Sequence, residues 1–399
     1  MSRRVVITGL GSVSPLGVGA RILYDRWSAG EIGIEDGLAR CSDFEPEEFL
    51  SSKEVRRNDR FVQLALAACQ EALAQAGWDD EAPYDTERIG CVVGTGIGGI
   101  GSLESQHDVL RDQGPDRVSP MAVPLMMANA GTAALVMRHG LRGPTQTTVS
   151  ACAAGTDGIG AALRMIRSGD ADAVVAGGAE STLTPLAQSA FAAMDATSES
   201  GVSRPFDARR DGFIMGEGAG ILVLEDAEAA EARGATVLGE VLGYGASADA
   251  YHITAPEPAG RGAAKAIERA MADANVGPDD IDYVNAHGTS TPLNDSSETE
   301  ALKAALGEER AKAIPTSSTK SAIGHLLGAA GGVEAVATLL ALNDGKAPPT
   351  LGYEEPDEGL DLDYVPDGPR DIGNGGRLIA LSNSFGFGGH NGVLCLASG

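Results

Sequence analysis

A cysteine in this chain stands where nucleophilic chemistry is favoured. Cys152 follows an extended run with β-branched residues at 146–149 and precedes small residues and a helical pattern that closes at Gly169. We therefore expect the cysteine where a strand turns into a helix. Unsatisfied amides and the positive end of the helix dipole stabilise a thiolate at such a place. The competing interpretation is a buried cysteine that acts as a small apolar side chain, which usually holds for a lone cysteine.

Two histidines and a lysine lie in similar settings. His287 stands in the stretch Y-V-N-A-H-G-T-S-T-P-L-N-D, where a strand breaks into a turn. His325 stands in T-S-S-T-K-S-A-I-G-H, which also holds Lys320 and precedes a helix rich in glycine and alanine. Such turns display side chains toward a site. The joint placement of these residues with the cysteine favours covalent catalysis over separate structural roles.

A third stretch near the end of the chain, L-S-N-S-F-G-F-G-G-H-N, alternates glycine with Phe385 and Phe387. Glycine lets the backbone take unusual angles and approach a ligand closely. A simple turn before the last strand is the alternative. We expect a structural position for His390, which follows the glycines.

Composition and charge limit the classes of protein. The 399 residues suffice for two domains or two fused halves, and 43% hydrophobic residues with 54 glycines suit an α/β protein. A net charge of −26 argues against binding nucleic acid. The sequence contains no apolar run long enough to cross a membrane. Its five cysteines form neither a disulfide framework nor a zinc spacing, which predicts a reducing, cytoplasmic location.

Helical patterns alternate with apolar strands along the whole chain, which predicts parallel or mixed sheets covered on both faces. We divide the chain into halves at 1–235 and 236–399, with no low-complexity linker between them. The strand, turn, glycines and helix around Cys152 are echoed around Lys320, which indicates an internal duplication.

Two other features left alternatives open. The helical region 51–76 opens with basic residues, Lys53, Arg56 and Arg57, which suit either a docking patch for an acidic partner or a solvated face. Glycine-rich turns follow strands at 9–14 and 94–99 but lack the complete patterns of nucleotide-binding loops. Tight turns are favoured there, and a dinucleotide-dependent oxidoreductase is the distant alternative.

Taken together, the motifs resemble those of the β-ketoacyl-[acyl-carrier-protein] synthases, in particular the elongating type II group of the thiolase superfamily. The resemblance runs from Val5 to Leu396, and its motifs V-S-A-C, N-A-H-G-T-S-T-P, S-T-K-S-x-x-G-H and N-S-F-G-F-G-G occur in the family's order. It implies an α/β thiolase fold with two pseudo-symmetric halves, five layers αβαβα with mixed sheets, and a homodimer. It also implies an acyltransferase: a decarboxylating Claisen condensation with malonyl-[acyl-carrier-protein] in fatty acid elongation.

The resemblance assigns a role to each matched catalytic residue. Cys152 takes the acyl chain from a carrier's phosphopantetheine thioester. His287 and His325 bind the malonyl thioester carbonyl and promote loss of its carboxylate. Lys320 organises the histidines electrostatically, with Glu298 as the matching acidic partner.

Further positions follow from the same resemblance. The amides of Cys152 and Phe387 form an oxyanion hole, and Phe387 gates the acyl pocket. We expect substrate contacts at Thr289, Thr291, Ile97 and Phe385. No metal and no bound cofactor are expected, because the phosphopantetheine arrives on the acyl carrier protein.

The sequence also departs from the family. The stretch A-M-D-A-T at 193–197 has Asp195 where members often carry arginine for carrier docking, so we assign docking to Lys53, Arg56 and Arg57. A polyketide or specialised lipid ketosynthase is the main alternative. Thiolases need a second active-site cysteine, the initiating synthases use histidine and asparagine, and non-condensing relatives lose the cysteine. Acyl chain length stays open.

Overall fold

A computed structural model describes residues 3–78, 81–373 and 375–399. Its strands are β1 (Val5–Ser14), β2 (Gly17–Val18), β3 (Leu38–Ala39), β4 (Ile89–Gly94), β5 (Thr145–Gln146), β6 (Ala173–Glu180), β7 (Met215–Gly216), β8 (Gly218–Asp226), β9 (Gly239–Ala248), β10 (Tyr283–Asn285), β11 (Thr316–Ser317), β12 (Lys346–Ala347), β13 (Arg370–Asp371), β14 (Ile379–Gly386) and β15 (His390–Ser398). Its α-helices are α1 (Ala20–Ser28), α2 (Pro46–Phe49), α3 (Ser52–Arg57), α4 (Arg60–Gln75), α5 (Ile100–Gln113), α6 (Ala122–Met126), α7 (Ala130–His139), α8 (Ala154–Ser168), α9 (Pro185–Ala192), α10 (Ala227–Ala232), α11 (Arg261–Ala274), α12 (Pro292–Leu306), α13 (Glu308–Ala313), α14 (Lys320–Ile323) and α15 (Ala330–Asp344). Within these ranges no helix is long and apolar enough to span a membrane.

The strand order repeats between the two halves of the chain. The first half forms the ladder β5-β4-β6-β8-β1, and the second forms β11-β10-β14-β15-β9. In the first ladder, β1 lies at the inner edge, and β8, the last strand of that half, lies beside it and is antiparallel to both of its neighbours. In the second ladder, β9 and β15 hold the corresponding positions. β1 and β9 pair at Val6–Glu240 and Ile7–Gly239, so the ladders join into one 11-stranded mixed sheet.

Helices cover both faces of the ladders. α8 and α15 lie between them and pack on β6, β4, β8 and β14 in the largest apolar core. α4 and α7 cover the outer face of the first ladder, and α11 with α12 covers the second. The five-layer α/β architecture predicted from the sequence is confirmed; the division at residue 235 stays a prediction.

The two central helices approach closely because their facing residues are small. A Cβ atom at Gly155 of α8 would lie 2.7 Å from the amide nitrogen of Gly332 on α15. Any side chain there would push the helices apart. The small residues after the cysteine therefore bring the beginnings of both helices to the middle of the molecule.

Two predicted elements differ in the structure. The helical region 51–76 is broken at Asn58 and Asp59, which both have extended backbone angles. The Asp59 carboxylate accepts hydrogen bonds from the amide and hydroxyl of Ser102 (2.8 and 2.6 Å). The strand before the cysteine ends at Gln146 rather than at 149. Helix α8 does end at Gly169 as predicted, with a left-handed φ of 83° at that glycine.

Candidate active site

The nucleophile candidate lies in a strained turn. Cys152 belongs to a 3₁₀ turn, Ala151–Ala153, that leads directly into α8. Ala151 has a φ of 51°, in the left-handed region that is unfavourable for an alanine. The hydroxyl of Ser150 donates to Asp157 on the first turn of α8, which holds the start of the turn in place. The side chain of Cys152 is almost fully buried at the inner end of a cavity.

The ring of His325 contacts the cysteine directly. Its Nε2 lies 3.0 Å from the Sγ of Cys152. Its Nδ1 accepts a hydrogen bond from the amide of Leu327 at 3.3 Å, which places the proton of the neutral ring on Nε2. Burial and the charge of Lys320 hold the pKa of His325 well below its usual value. His325 therefore presents a neutral N–H donor to the sulfur.

His287 completes the cluster from the second half of the chain. Its ring centroid lies 5.3 Å from that of His325 at an interplanar angle of 84°. The Sγ of Cys152 and one ring nitrogen of each histidine lie within 4.8 Å of one another. Burial, then the charges of Lys320 and His325, lowers the pKa of His287 well below its usual value. Both imidazoles are thus neutral at physiological pH.

The partner of Lys320 is not the predicted one. The buried Lys320 ammonium donates to Glu334 of α15, which is buried as well. Glu298 instead accepts hydrogen bonds from the amides of His287 and Gly288, both at 2.8 Å. The assignment of Glu298 as the partner of Lys320 is wrong, because the Glu298 carboxylate is held by the turn after β10; its supporting role stays a prediction.

Glu334 was missed in the sequence, although a signal was present. It is the single acid in the apolar run A-G-G-V-E-A-V-A-T-L-L-A-L. A lone carboxylate on the buried face of a helix requires a partner, because burying an unpaired charge is costly. The position of that partner depended on the tertiary fold.

The loop with two phenylalanines, whose glycines predicted close approach to a ligand, packs against the turn that holds the cysteine. The Phe387 amide donates a hydrogen bond to Cys152, which lowers the pKa of the thiol. A Cβ at Gly386 would lie 3.0 Å from the amide nitrogen of Cys152, so glycine is needed for this approach. The Phe385 ring meets that of His287 edge-on at 5.8 Å.

Burial opposes ionisation of the candidate nucleophile. It raises the pKa of the Cys152 thiol to about 11, against the charge of Lys320 and the Phe387 amide, which both lower it. The position before a helix predicts only the favourable effect on the thiolate, and burial acts against it. The thiolate that Lys320 and the helix favour therefore forms against a burial cost.

A cavity of about 490 Å³ opens onto the sulfur. Its walls contain all four predicted substrate-contact residues, namely Ile97, Thr289, Thr291 and Phe385. Thr289 and Thr291 hydroxyls lie 2.9 Å apart. Phe191 and Phe213, which the sequence analysis missed, add aromatic walls and pack against each other at 5.5 Å. The cavity can hold an acyl chain beside a polar, pantetheine-like arm.

The predicted docking residues lie away from the lining of this cavity. Lys53, Arg56 and Arg57 are exposed on α3, whose start is fixed by a capping box between Ser51 and Glu54. Carrier docking at α3 stays a prediction. Asp195, noted in the sequence for its charge, has a left-handed φ of 52° and lines the cavity.

A cysteine and two histidines also form a set that can bind a metal ion. Here the tautomer of His325 is unsuited to that role. Its Nδ1 lone pair accepts from the Leu327 amide, and its Nε2, which faces the sulfur, carries the proton. The donor set suits hydrogen bonding to a developing anion better than metal ligation.

Two family descriptions match the chain. "Beta-ketoacyl synthase, N-terminal domain" matches residues 30–230, and "Beta-ketoacyl synthase, C-terminal domain" matches residues 238–354. The 3-oxoacyl-[acyl-carrier-protein] synthase 2 of Synechocystis sp. is 47% identical over 412 residues, covering 98% of this chain and 96% of its own. The protein of that name in Staphylococcus aureus is 44% identical over 410 residues, covering 98% of each chain.

Solved structures agree over the full length. A β-ketoacyl synthase from Burkholderia phymatum has a TM-score of 0.91 at 33% identity, with 100% of both chains covered. A type II polyketide synthase acyl-carrier protein in complex with its ketosynthase has a TM-score of 0.89 at 32% identity, also covering 100% of both chains. The ishigamide ketosynthase/chain length factor has a TM-score of 0.91 at 35% identity and the same coverage. The predicted thiolase fold is confirmed by these likenesses.

Proposed function

The chain belongs to the β-ketoacyl synthase family, and from this membership we propose that it is an elongating β-ketoacyl-[acyl-carrier-protein] synthase. It condenses an acyl thioester on Cys152 with malonyl-[acyl-carrier-protein] in fatty acid biosynthesis. The observation that carries the proposal is the His325 Nε2 atom 3.0 Å from the Cys152 sulfur, with a second neutral imidazole beside it. The condensation forms a negatively charged oxygen in each of its two steps. A nucleophile next to two neutral hydrogen-bond donors suits such a reaction.

The first step transfers the acyl chain to the enzyme. The Cys152 thiol releases its proton to water, and the N–H groups of His325 and Phe387 hydrogen-bond the thiolate. The sulfur then attacks the thioester carbonyl carbon of the acyl carrier. The carbonyl oxygen gains a negative charge, which the Cys152 and Phe387 amides stabilise. The tetrahedral intermediate expels the pantetheine thiolate, which takes a proton from water.

The second step forms the new carbon–carbon bond. Malonyl thioester binds with its carbonyl oxygen toward the rings of His287 and His325. Its carboxylate leaves as carbon dioxide, and the electron pair of the broken bond becomes an enolate. The neutral imidazole N–H groups stabilise this enolate without protonating its carbon. The carbon attacks the acyl-cysteine carbonyl, and the collapsing intermediate releases the Cys152 thiolate.

Lys320 contributes through its charge rather than by contact with substrate. Together with burial it holds the pKa values of His287 and His325 low, so both rings stay neutral. An imidazolium would donate a proton to the enolate and end the reaction as simple decarboxylation. Glu334 balances the buried ammonium.

The partners follow from the family and its chemistry. The enzyme acts as a homodimer on acyl and malonyl thioesters of acyl carrier protein. The complex of a related ketosynthase with its carrier supports the carrier protein as a partner. Phosphopantetheine enters as part of the substrate. We propose a cytoplasmic location, supported by the five cysteines, which are all free.

A polyketide or specialised lipid pathway is the second candidate. The ketosynthase solved with its type II polyketide carrier protein is 32% identical to this chain, whereas the 3-oxoacyl-[acyl-carrier-protein] synthases 2 are 44–47% identical, which favours fatty acid elongation. Incubation with malonyl carrier and a ladder of acyl carriers tests both, with products read by mass spectrometry. A single two-carbon extension supports the proposal; repeated extension without ketone reduction supports the alternative, and no extension refutes both.

A further inference from the structure

A buried carboxylate lies beside the active site without a role in the steps above. Glu180 ends β6, and its side chain is fully buried. Its oxygens accept hydrogen bonds from the Thr95 hydroxyl (3.1 Å), the Gly96 amide, the Ile97 amide (3.4 Å) and the Gly328 amide (3.2 Å). In the ranges that the structure describes, no lysine or arginine forms an ion pair with it. A buried charge held only by neutral donors points to a positional role.

The donors come from two distant turns that meet at this carboxylate. Gly96 belongs to the turn after β4 in the first half, and Gly328 to the turn before α15 in the second. A Cβ at either glycine would lie 2.7 Å from a Glu180 oxygen, and a Cβ at Gly328 would lie 2.2 Å from the Gly96 nitrogen. Glycine is required at both positions, and Glu180 joins the turns across the halves.

Each turn carries a residue that the reaction uses. Leu327, next to Gly328, donates the amide that fixes the tautomer of His325, and its φ of 48° is strained. Ile97 lines the acyl cavity. We propose that Glu180 is a positioning residue that holds the His325 tautomer and the Ile97 wall in place together. The role rests on the function proposed above.

The charge of Glu180 also acts on the nucleophile. The titratable and charged groups near the Cys152 sulfur include His287, His325, Lys320, Glu180 and Glu334, and Asp195 and Asp249 line the same cavity. Glu180 raises the pKa of the Cys152 thiol through its charge. Burial raises the pKa of Glu180 itself to about 7, against its hydrogen bonds, so the carboxylate is ionised at pH 8.5. Loss of the Glu180 charge should therefore change the reactivity of the Cys152 thiol, whereas loss of its hydrogen bonds to the two turns should change catalysis by His325.

Two variants separate these effects. Glu180→Gln removes the charge and turns an amide NH₂ toward donor groups. At pH 8.5 we expect iodoacetamide to alkylate Cys152 about three-fold to ten-fold faster, because the thiol ionises more easily. Decarboxylation of malonyl carrier protein should fall about ten-fold to a hundred-fold, because the His325 turn shifts. Glu180→Asp keeps the charge but loses reach, so decarboxylation should fall without the faster alkylation that is expected of Glu180→Gln.

A matched control is available in Glu225, another fully buried carboxylate, which accepts from Thr8, Tyr84 and Arg233 outside the active-site cluster. Glu225→Gln should change neither rate in the folded enzyme. The proposal is overturned if both Glu180 variants decarboxylate like wild type, or if Glu225→Gln reproduces their effects. Alkylation needs no carrier, so that measurement stands even if the enzyme proves not to decarboxylate malonyl carrier, which would refute the proposed function instead.

Discussion

The residues around the sulfur combine a buried cation with neutral donors. Lys320 and Glu334 form an ion pair that is 1% exposed at each side chain. The cation lowers the pKa values of both neighbouring histidines and opposes the effect of burial on Cys152. One charged group thereby favours a thiolate and keeps the imidazoles neutral, which are the two protonation states that condensation needs.

The first residue-scale prediction concerns the nucleophile. Cys152→Ala should abolish condensation yet retain decarboxylation of malonyl carrier protein, because only acyl transfer requires the sulfur. Carbon dioxide release and product masses measure the two activities. Cys91→Ala, which removes a buried cysteine from the core beneath α4 and α7, is the control and should keep both activities. Condensation at the wild-type rate by Cys152→Ala would refute the assignment.

A second prediction concerns the ion pair. Glu334→Gln leaves the Lys320 ammonium buried without a counter-charge. We expect the free energy of unfolding to fall by about 3–5 kcal/mol, as for other broken buried pairs. Denaturant unfolding measures the change. Glu308→Gln, which removes an exposed pair with Lys312, should have little effect; equal losses in both variants would contradict the buried pairing.

At the scale of elements, short turns between helices and strands place much of the site. Cys152 precedes α8, Leu327 precedes α15, and the Phe387 turn lies between β14 and β15. Turns can adopt the left-handed angles seen at Ala151 and Leu327, which a helix or strand cannot. The rigid elements hold these strained turns in place.

The break between α3 and α4 sets apart a short basic helix. Reversing the charge of Lys53, Arg56 and Arg57 to glutamate should raise the KM for carrier-bound substrate, most at low ionic strength, because exposed charges steer an acidic carrier. Steady-state kinetics at two salt concentrations measure this effect. Activity on a small pantetheine thioester should be unchanged.

Lys265→Glu, on the exposed face of α11, is the matched control for that charge reversal. It should leave the KM for the carrier-bound substrate as it is. An unchanged KM in the triple variant at low salt would exclude α3 as the docking helix.

At the scale of the whole molecule, burial in the packed core changes the titration of acids. Burial raises the pKa of Glu298 to about 7 from 4.5, although its hydrogen bonds lower it. Between these values the folded chain binds more protons than the unfolded chain, so the contribution of Glu298 to stability is present below pH 4.5 and is lost as the pH rises through 7.

This linkage gives a prediction for pH. From pH 5.5 to 8, Glu298 lowers the free energy of unfolding by about 2 kcal/mol. When the pH rises from 5.5 to 8, the free energy of unfolding should therefore fall less in Glu298→Gln than in the wild type. Denaturant titrations at the two pH values measure the difference, and an equal loss in both proteins would rule out the raised pKa.

The sequence by itself predicted the fold class of this protein and its candidate site residues. The alternation of elements and the echo around Lys320 predicted the layered, duplicated fold. Motif order and residue types pointed to Cys152, His287 and His325 as candidate site residues, and the glycines that flank Phe385 and Phe387 predicted a backbone that can approach a ligand closely. These features are local, because turn geometry and glycine requirements depend on neighbouring residues.

Other features were decided only by the tertiary structure. Nothing in the sequence assigned Glu334 rather than Glu298 to Lys320, the Leu327 amide to His325, or the Glu180 carboxylate to turns of both halves. The rise in the pKa of the Cys152 thiol likewise depends on how deeply the packed halves bury it. Ion pairing, tautomer and desolvation are set by atoms from segments far apart in the chain, and only the packing of the two halves fixes their distances.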